Sequence, residues 1–349
     1  MTIFGMTLHK FISGSILWIV ITVLSVAGFM NVGEMRQYSG ISIRFDGPVN
    51  GEDAYRLRRH SIDRRSHGDD VFWPSFWHET RVDVKTEHRN FNTACIVYSG
   101  DAGLIWNTDY TDGTAPGVTD GYGCAISSAL AHALWGSDDV TGKSLEVDGE
   151  KRVVRGVFKG DKPMLLLSVS DEDTGPGFTS VELYGGPSSP DRNDVIGFFA
   201  SAGIKTPDVI LLAGPTSIAS LISMLPLIIL VLFVLIKIGI KIHKYKIAFF
   251  IAVFFLFLVF ALALPGLLES VPLRMIPSRF SDFAFWGSLL DQFFLDIGEY
   301  LKLTPRSRDI IYTTLFYKQI GILFFSVIFV MLICLRTDSI INKKMIAGG

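Results

Sequence analysis

Apolar positions along this chain gather into four long runs; elsewhere they alternate with polar ones over short distances. The runs cover residues 11–30, 218–236, 247–268 and roughly 311–335. Each is about long enough to cross a ~30 Å hydrocarbon core as a helix, which takes around 20 apolar residues. About 185 residues of mixed sequence separate the first run from the second, and only a short basic link joins the second to the third. The pattern predicts four transmembrane helices with one folded domain inserted between the first and the second.

Inside that insertion the period shortens to two. Residues 40–46, 75–85 and 92–98 alternate as strands do. Asn50-Gly51 leads into a charged helix over 52–65, with Ala54, Leu57 and Ile62 as a loose apolar stripe. Residues 107–123, rich in Gly, Asp and Thr, read as a long loop. A short strand, 124–127, runs into the helix SSALAHALWG, capped by Ser127 or Ser128 and stopped at Gly136. Asp148-Gly149, between KSLEV and EKRVVRGVFK, is the type I′ turn combination of a hairpin. Strands over 163–170 and 178–184 follow. A helix over 190–202 then has Ser189 as N-cap, Pro190 at its first position and Gly203 past its end. Strands and helices mix without βαβ alternation, so the predicted class is an α+β extracytoplasmic domain.

Three parts result: 1–30, the N-terminus and first transmembrane helix; 31–215, the α+β domain; and 216–349, three further transmembrane helices. The last part includes an external amphipathic loop, 269–310. There Phe283, Trp286, Leu290, Phe293, Phe294 and Ile297 recur at helical spacing, with Asp282, Asp291, Asp296 and Glu299 between them. The periodicity fits a helix at the outer membrane interface and equally one packed beneath the domain. Thr304-Pro305 has the form of an N-cap and first residue opening the last helix.

Charge assigns the sides. Lys10 precedes the first run, Lys237, Lys241, Lys244 and Lys246 crowd the link between the second and third, and Arg336, Lys343 and Lys344 follow the last. Asp338 is the only acid in those segments. Lys and Arg beside span ends mark the cytoplasmic side, and four spans put these three segments on one side. Both termini are therefore expected in the cytoplasm of a multi-pass cell-membrane protein, with 31–215 outside. Ser25-Val26-Ala27 resembles a signal-peptide cleavage site, but the apolar run before it is long for one, which favours a retained anchor. The whole-chain charge of −2 hides an acidic domain: 31–215 holds 27 acidic against 18 basic residues. That balance excludes nucleic acid as a partner. The four runs lack ionisable residues apart from Lys237 and Lys318 near their ends, which argues against a proton-coupled carrier or an ion channel.

Candidate chemistry is sparse. GSDDVTGKS at 136–144 resembles a phosphate loop, but it has five residues where that motif has four. Asp138 and Asp139 would also repel phosphate, and the segment follows a helix instead of a strand. His78, Glu79 and His88 do not form the HExxH spacing. Asp171, Glu172 and Asp173 beside Gly175 lack the alternating ligands of an EF-hand and read as a solvated turn. No G-x-S-x-G elbow occurs. The reading therefore expects no catalytic residue, cofactor or metal site. Cys95 and Cys124, both external, are either two buried free thiols, the favoured alternative, or a disulfide.

One segment is more specific. CAISSALAHALWGSDDVTGKSLEVDGEKRVVRGVFKG resembles the external core domain of MacB-type ABC transporter permeases, a family that includes FtsX-like proteins. The resemblance lies in Ala133-Leu134-Trp135-Gly136, then Asp138-Asp139-Val140-Thr141-Gly142-Lys143, then Val153-Val154-Arg155-Gly156-Val157. The one-plus-three arrangement of spans also fits. The resemblance implies a permease-like membrane subunit of an ABC transport or mechanotransmission complex, with no ATPase or other enzyme activity of its own. It implies a cytoplasmic ABC ATPase subunit and a second permease copy or homologue as partners, alongside the lipid bilayer. Gly142 and Gly156 read as structural positions for a backbone turn and close packing. Contact with the ATPase would fall on the link between the second and third spans, making Lys237, Lys241, His243, Lys244 and Lys246 the candidate contacts. KIGIKIHKYK is shorter than the usual coupling segment and lacks its acidic Leu-Gly-Ala stretch. The competing reading is a membrane-anchored sensor or binding protein that uses the domain without an ATPase.

Overall fold

Period-two alternation between residues 41 and 211 becomes a 10-stranded sheet in the computed structural model. The structure describes residues 2–3, 6–38, 40–169, 177–187, 190–212, 279, 283–302 and 304–346, with isolated positions 216, 219, 223, 226 and 254. The chain divides into two compact units. Met1–Gln37, Gly214–Ser281 and Ile311–Gly349 form one, and Tyr38–Ala213 with Asp282–Ile310 form the other. The segment 282–310 thus belongs to the same unit as residues 38–213.

In the first unit, β1 (Thr2–Ile3) and β2 (Met6–Thr7) pair ahead of α1 (Leu8–Arg36). From Ile311 onward, the long helix α7 (Ser307–Ile346) supplies the rest of what is described there, beyond a few isolated positions. Both helices contain stretches long and apolar enough to cross a membrane, Ile19–Arg36 and Ser307–Ile333. They meet through Ile21, Val330 and Ile333, and through a buried polar pair in which Asn31 Nδ2 donates to Gln319 Oε1 (3.0 Å) and to the Leu315 carbonyl (2.9 Å). Hydrogen bonds of this kind hold apolar helices together where hydrophobicity alone cannot. Lys318 lies 3.9 Å from Glu34.

In the second unit the strands are β3 (Ile41–Val49), β4 (Phe72–Lys85), β5 (Asn90–Ser99), β6 (Tyr110–Gly113), β7 (Gly123–Ser127), β8 (Ser144–Val147), β9 (Glu150–Phe158), β10 (Met164–Ser168), β11 (Phe178–Gly185) and β12 (Val209–Leu211). They lie in the order β12-β3-β11-β4-β5-β10-β7-β9-β6. β8 pairs with both β4 and β9, so β4, β5, β10, β7, β9 and β8 close into a ring. Val84, Val97, Ile126, Leu145 and Leu165 fill its apolar cluster together with Leu130 and Leu134 of α4 (Ser128–Trp135). The open part of the sheet, β12-β3-β11-β4, carries a second core, where Ile43, Phe76 and Val181 meet Leu57 of α2 (Gly51–Ser66) and Phe199 of α5 (Arg192–Ser201). Between Ser99 and β6, the short α3 (Ala102–Ile105) joins a third cluster with Trp77, Tyr98 and Phe158.

Local signals account for most of these elements. Asn50 caps α2 by accepting from Asp53 N. Ser127 caps α4, and Gly136 ends it in the left-handed region. Asp148 and Gly149 both take positive φ, as a type I′ turn requires. Three expectations need correction. α5 opens at Arg192, because Asp191 and Asp194 form a reciprocal capping box that Ser189 was expected to replace. The loop 107–123 contains the edge strand β6, whose Gly/Asp/Thr composition hides it. The close packing expected at Gly156 of β9 is observed, since a Cβ there would stand 2.4 Å from the Thr114 carbonyl oxygen. Finally, α7 starts at Ser307 instead of Pro305, for a reason that lies in the site below.

Candidate functional site: a buried charged cluster at the head of the last helix

Alternation that buries Ile41, Ile43 and Phe45 against α2 and α5 turns Ser42 and Arg44 to the other face of β3. Register does the same across the neighbours. Glu182 sits opposite Ser42 and Ser75, while Ser180 sits opposite Arg44 and Trp77. A polar stripe facing away from a core is normally solvated. Here it is buried: Arg44 keeps 4 % of its exposure and Glu182 1 %. The cover is the segment Arg306-Ser307-Arg308-Asp309, the end of the linker and first turn of α7, which lies in the same unit.

Glu182 is the hub. Its Oε1 accepts from Ser42 Oγ (2.8 Å) and Trp77 Nε1 (3.0 Å) and faces Arg44 Nη1 at 3.3 Å. Its Oε2 is 3.0 Å from Arg308 Nη1. Arg44 Nη2 donates to Asp309 Oδ1 at 2.6 Å. Arg308 is held further by the carbonyls of Ile105 (3.1 Å) and Leu104 (3.3 Å). Arg306 donates to Thr179 Oγ1 (2.7 Å) and to Ser180 Oγ. The Arg44 and Arg306 guanidiniums both lie over the Trp77 ring, 5.0 and 5.5 Å from its centroid. A planar, delocalised cation suits such stacking and forked pairing better than an ammonium does.

Two carboxylates complete the start of the helix. Asp309 Oδ2 accepts from Arg306 N, while Glu79 of β4 accepts from Ser307 N (2.9 Å) and from Ser307 Oγ. First-turn N–H groups have no partner within a helix and carry its positive dipole end, so acids there both satisfy and stabilise them. This is why α7 begins at Ser307: the sheet supplies the cap. Three cations (Arg44, Arg306, Arg308) thus face three anions (Glu79, Glu182, Asp309) in one balanced cluster. Burial, then the nearby Arg44, lowers the Arg306 pKa from its ordinary value, against the pull of Asp309, Glu79 and Glu182. His78 points to the other side of β4, its ring 5.9 Å from that of Phe178. Burial first and Arg306 second push its pKa down. The charged cluster fixes one end of a helix to a sheet.

Of the residues singled out from sequence, Glu79 enters the cluster; the other described ones fall elsewhere. His78 and Glu79 diverge to opposite sides of β4, as alternation requires. In the phosphate-loop lookalike, Gly136 ends α4, Asp138 lies 3.3 Å from His132 Nε2, and Lys143 sits over the Trp135 ring. Gly142 takes a φ of 85° and its N–H meets the Val154 carbonyl, the turn role expected of it. Cys95 and Cys124 are buried free thiols facing the ring cluster. β10 lies between their strands, which puts them too far apart for a disulfide. Burial raises both pKa values, that of Cys124 to about 12, which leaves them unreactive. Lys237, Lys241, His243, Lys244 and Lys246 lie outside the described residues, as does the 171–173 turn. The sequence reading missed the charged cluster. Its one local signal was Arg306-Ser307-Arg308-Asp309, an unusual density of charge at the mouth of an apolar run.

No family model matches the chain, and no curated protein matches it. Solved structures similar to it include the periplasmic region of MacB from Actinobacillus actinomycetemcomitans, at 11 % identity and a TM-score of 0.41, covering 52 % of this chain and 92 % of that one. The extracellular domain of the noncanonic ABC-type transporter YknZ from Gram-positive bacteria aligns at 17 % identity and 0.35, covering 47 % and 96 %. A domain of a permease protein from Porphyromonas gingivalis aligns at 15 % and 0.34, covering 47 % and 83 %.

Proposed function

We propose that this chain is a permease-like membrane subunit of a MacB-like ABC transport or mechanotransmission complex, with no ATPase or other enzyme activity of its own. Its α+β domain stands outside the cell membrane between the first and second of four spans, with both termini in the cytoplasm. One observation carries the reading: the first turn of the helix containing the last candidate span is built into the domain through paired buried charges. Movement of that helix therefore acts on the sheet at Arg44 and Glu182, not through a flexible linker. The strand–helix–hairpin segment at 124–160, with its crowded Gly156 and left-handed Gly142, supports the same reading.

Power would come from a cytoplasmic ATP-binding subunit docked on the basic link at Lys237, Lys241, His243, Lys244 and Lys246, with a second permease copy or homologue beside this one. The shortness of that link favours the second reading, a membrane-anchored sensor or binding protein working without an ATPase. Copurification separates them. Tagged full chain extracted in mild detergent should carry a protein that has the phosphate loop this chain lacks. Lys241→Ser, His243→Ser and Lys244→Ser together should weaken that association, and added salt should weaken it further. External protease should still reach the domain in this variant. Absence of any such protein from the wild-type preparation decides for the sensor.

A further inference from the structure

Helix α6 (Phe283–Lys302) belongs to the domain unit and packs beside β12. At 100° per residue, Phe283, Trp286 and Phe294 fall within about 80° of its circumference. All three are exposed: Phe283 84 %, Trp286 39 % and Phe294 66 %. Elsewhere in the domain unit, large exposed apolar side chains are scattered singly, as at Tyr55, Phe91 and Tyr122. Among the described residues, clusters of them otherwise occur on α1 and α7, two helices long and apolar enough to span a membrane. In this respect α6 resembles the spans more than the domain it is attached to.

We propose that the aromatic face of α6 rests on the outer surface of the lipid bilayer, holding the domain at headgroup depth. Chain connectivity selects lipid over other occupants. α6 ends at Lys302 and α7, the helix that carries the last candidate span, begins at Ser307, so five steps of extended chain separate the two helices, at most about 17 Å. A helix tethered that closely to a span cannot leave the neighbourhood of the membrane surface. Its chemistry fits that place. Trp and Phe favour the boundary between headgroups and acyl chains. The acids Asp291, Asp296 and Glu299 outnumber the single cation Lys302, so attachment would be apolar and insensitive to salt, unlike that of a basic amphipathic helix.

The inference rests on the membrane-subunit reading, and tryptophan quenching tests the two separately. Six tryptophans are present; Trp18 lies in the first apolar run and Trp286 on the proposed face. The full chain is reconstituted in phosphatidylcholine vesicles whose acyl chains are brominated near the headgroup end. Trp286→Phe should remove roughly half of the lipid-quenchable emission, since two side chains would share it. Phe283→Asp with Phe294→Asp should transfer Trp286 from quenching by bromolipid to quenching by aqueous iodide. If Trp286→Phe leaves the lipid-quenchable emission unchanged while Trp18→Phe abolishes it, the helix does not touch lipid and the proposal is overturned. Iodide-accessible Trp286 then means a water-facing helix, and protection from both quenchers means a second copy or another protein covers it. If nothing in the wild-type chain is quenched by bromolipid, the membrane reading and the proposal fall together.

Discussion

On one face of β3, β11 and β4 lie Ile43, Val181 and Phe76 beneath α2 and α5; on the other lie Arg44, Glu182 and Trp77 beneath the first turn of α7. Both faces are buried, yet they hold by different physics. The apolar face gains from area removed from water, a non-directional term that any well-shaped hydrophobe supplies. The charged face gains little net, because pairing must first offset desolvation of four buried ions, Arg44, Glu182, Arg308 and Asp309. What it supplies is direction: each guanidinium accepts only a few geometries, and an incorrect partner leaves a buried charge alone. A sheet that only needed stability would repeat the apolar face. A sheet that must hold one particular helix end in one orientation gains from the charged one.

The largest effect should come from removing the hub. Glu182→Gln leaves Arg44 and Arg308 short of one buried anion and should cost about 3–5 kcal/mol, read as a fall in melting temperature of the full chain. A near-neutral result would mean that water or another anion compensates, and that the cluster is not the closed set described here.

Conservative exchanges sharpen the contrast between the faces. Leu57→Met, on the apolar side, should cost less than about 1.5 kcal/mol. Arg44→Lys keeps the charge but not the fork that reaches Ser42, Glu182 and Asp309, and should cost about 1.5–3 kcal/mol. Equal losses in side-by-side denaturant titrations would remove the distinction between directional and non-directional burial.

The smallest expected effect is on pH dependence. His78 has a pKa below its ordinary value of 6.5, so the folded chain holds it neutral while the unfolded chain protonates. The unfolded state then binds more protons, and stability falls as pH drops from about 6.5 towards the lower folded value. His78→Gln should flatten the stability profile in that window and leave it unchanged above pH 7. A profile that keeps its slope would assign the titration to other groups.

Much of this protein is decided within short windows of sequence. The Asp148-Gly149 turn, the Ser127 cap and Gly136 stop of α4, and the apolar length of α1 and α7 need only neighbouring residues, because φ preference, capping and hydrophobic period are local properties. The edge strands β6 and β12 escape such reading, since their pairing comes from β9 and β3 and not from their own composition. The charged cluster escapes it for a deeper reason. Alternation states that Arg44 and Glu182 share a face, but a solvated face and a buried one have the same period. Only the return of residues 306–309, more than 260 positions after Arg44, converts that stripe from surface to interior. Long-range burial of this kind is a property of the tertiary structure, because it depends on which distant segment arrives and on whether its charges fit those already waiting.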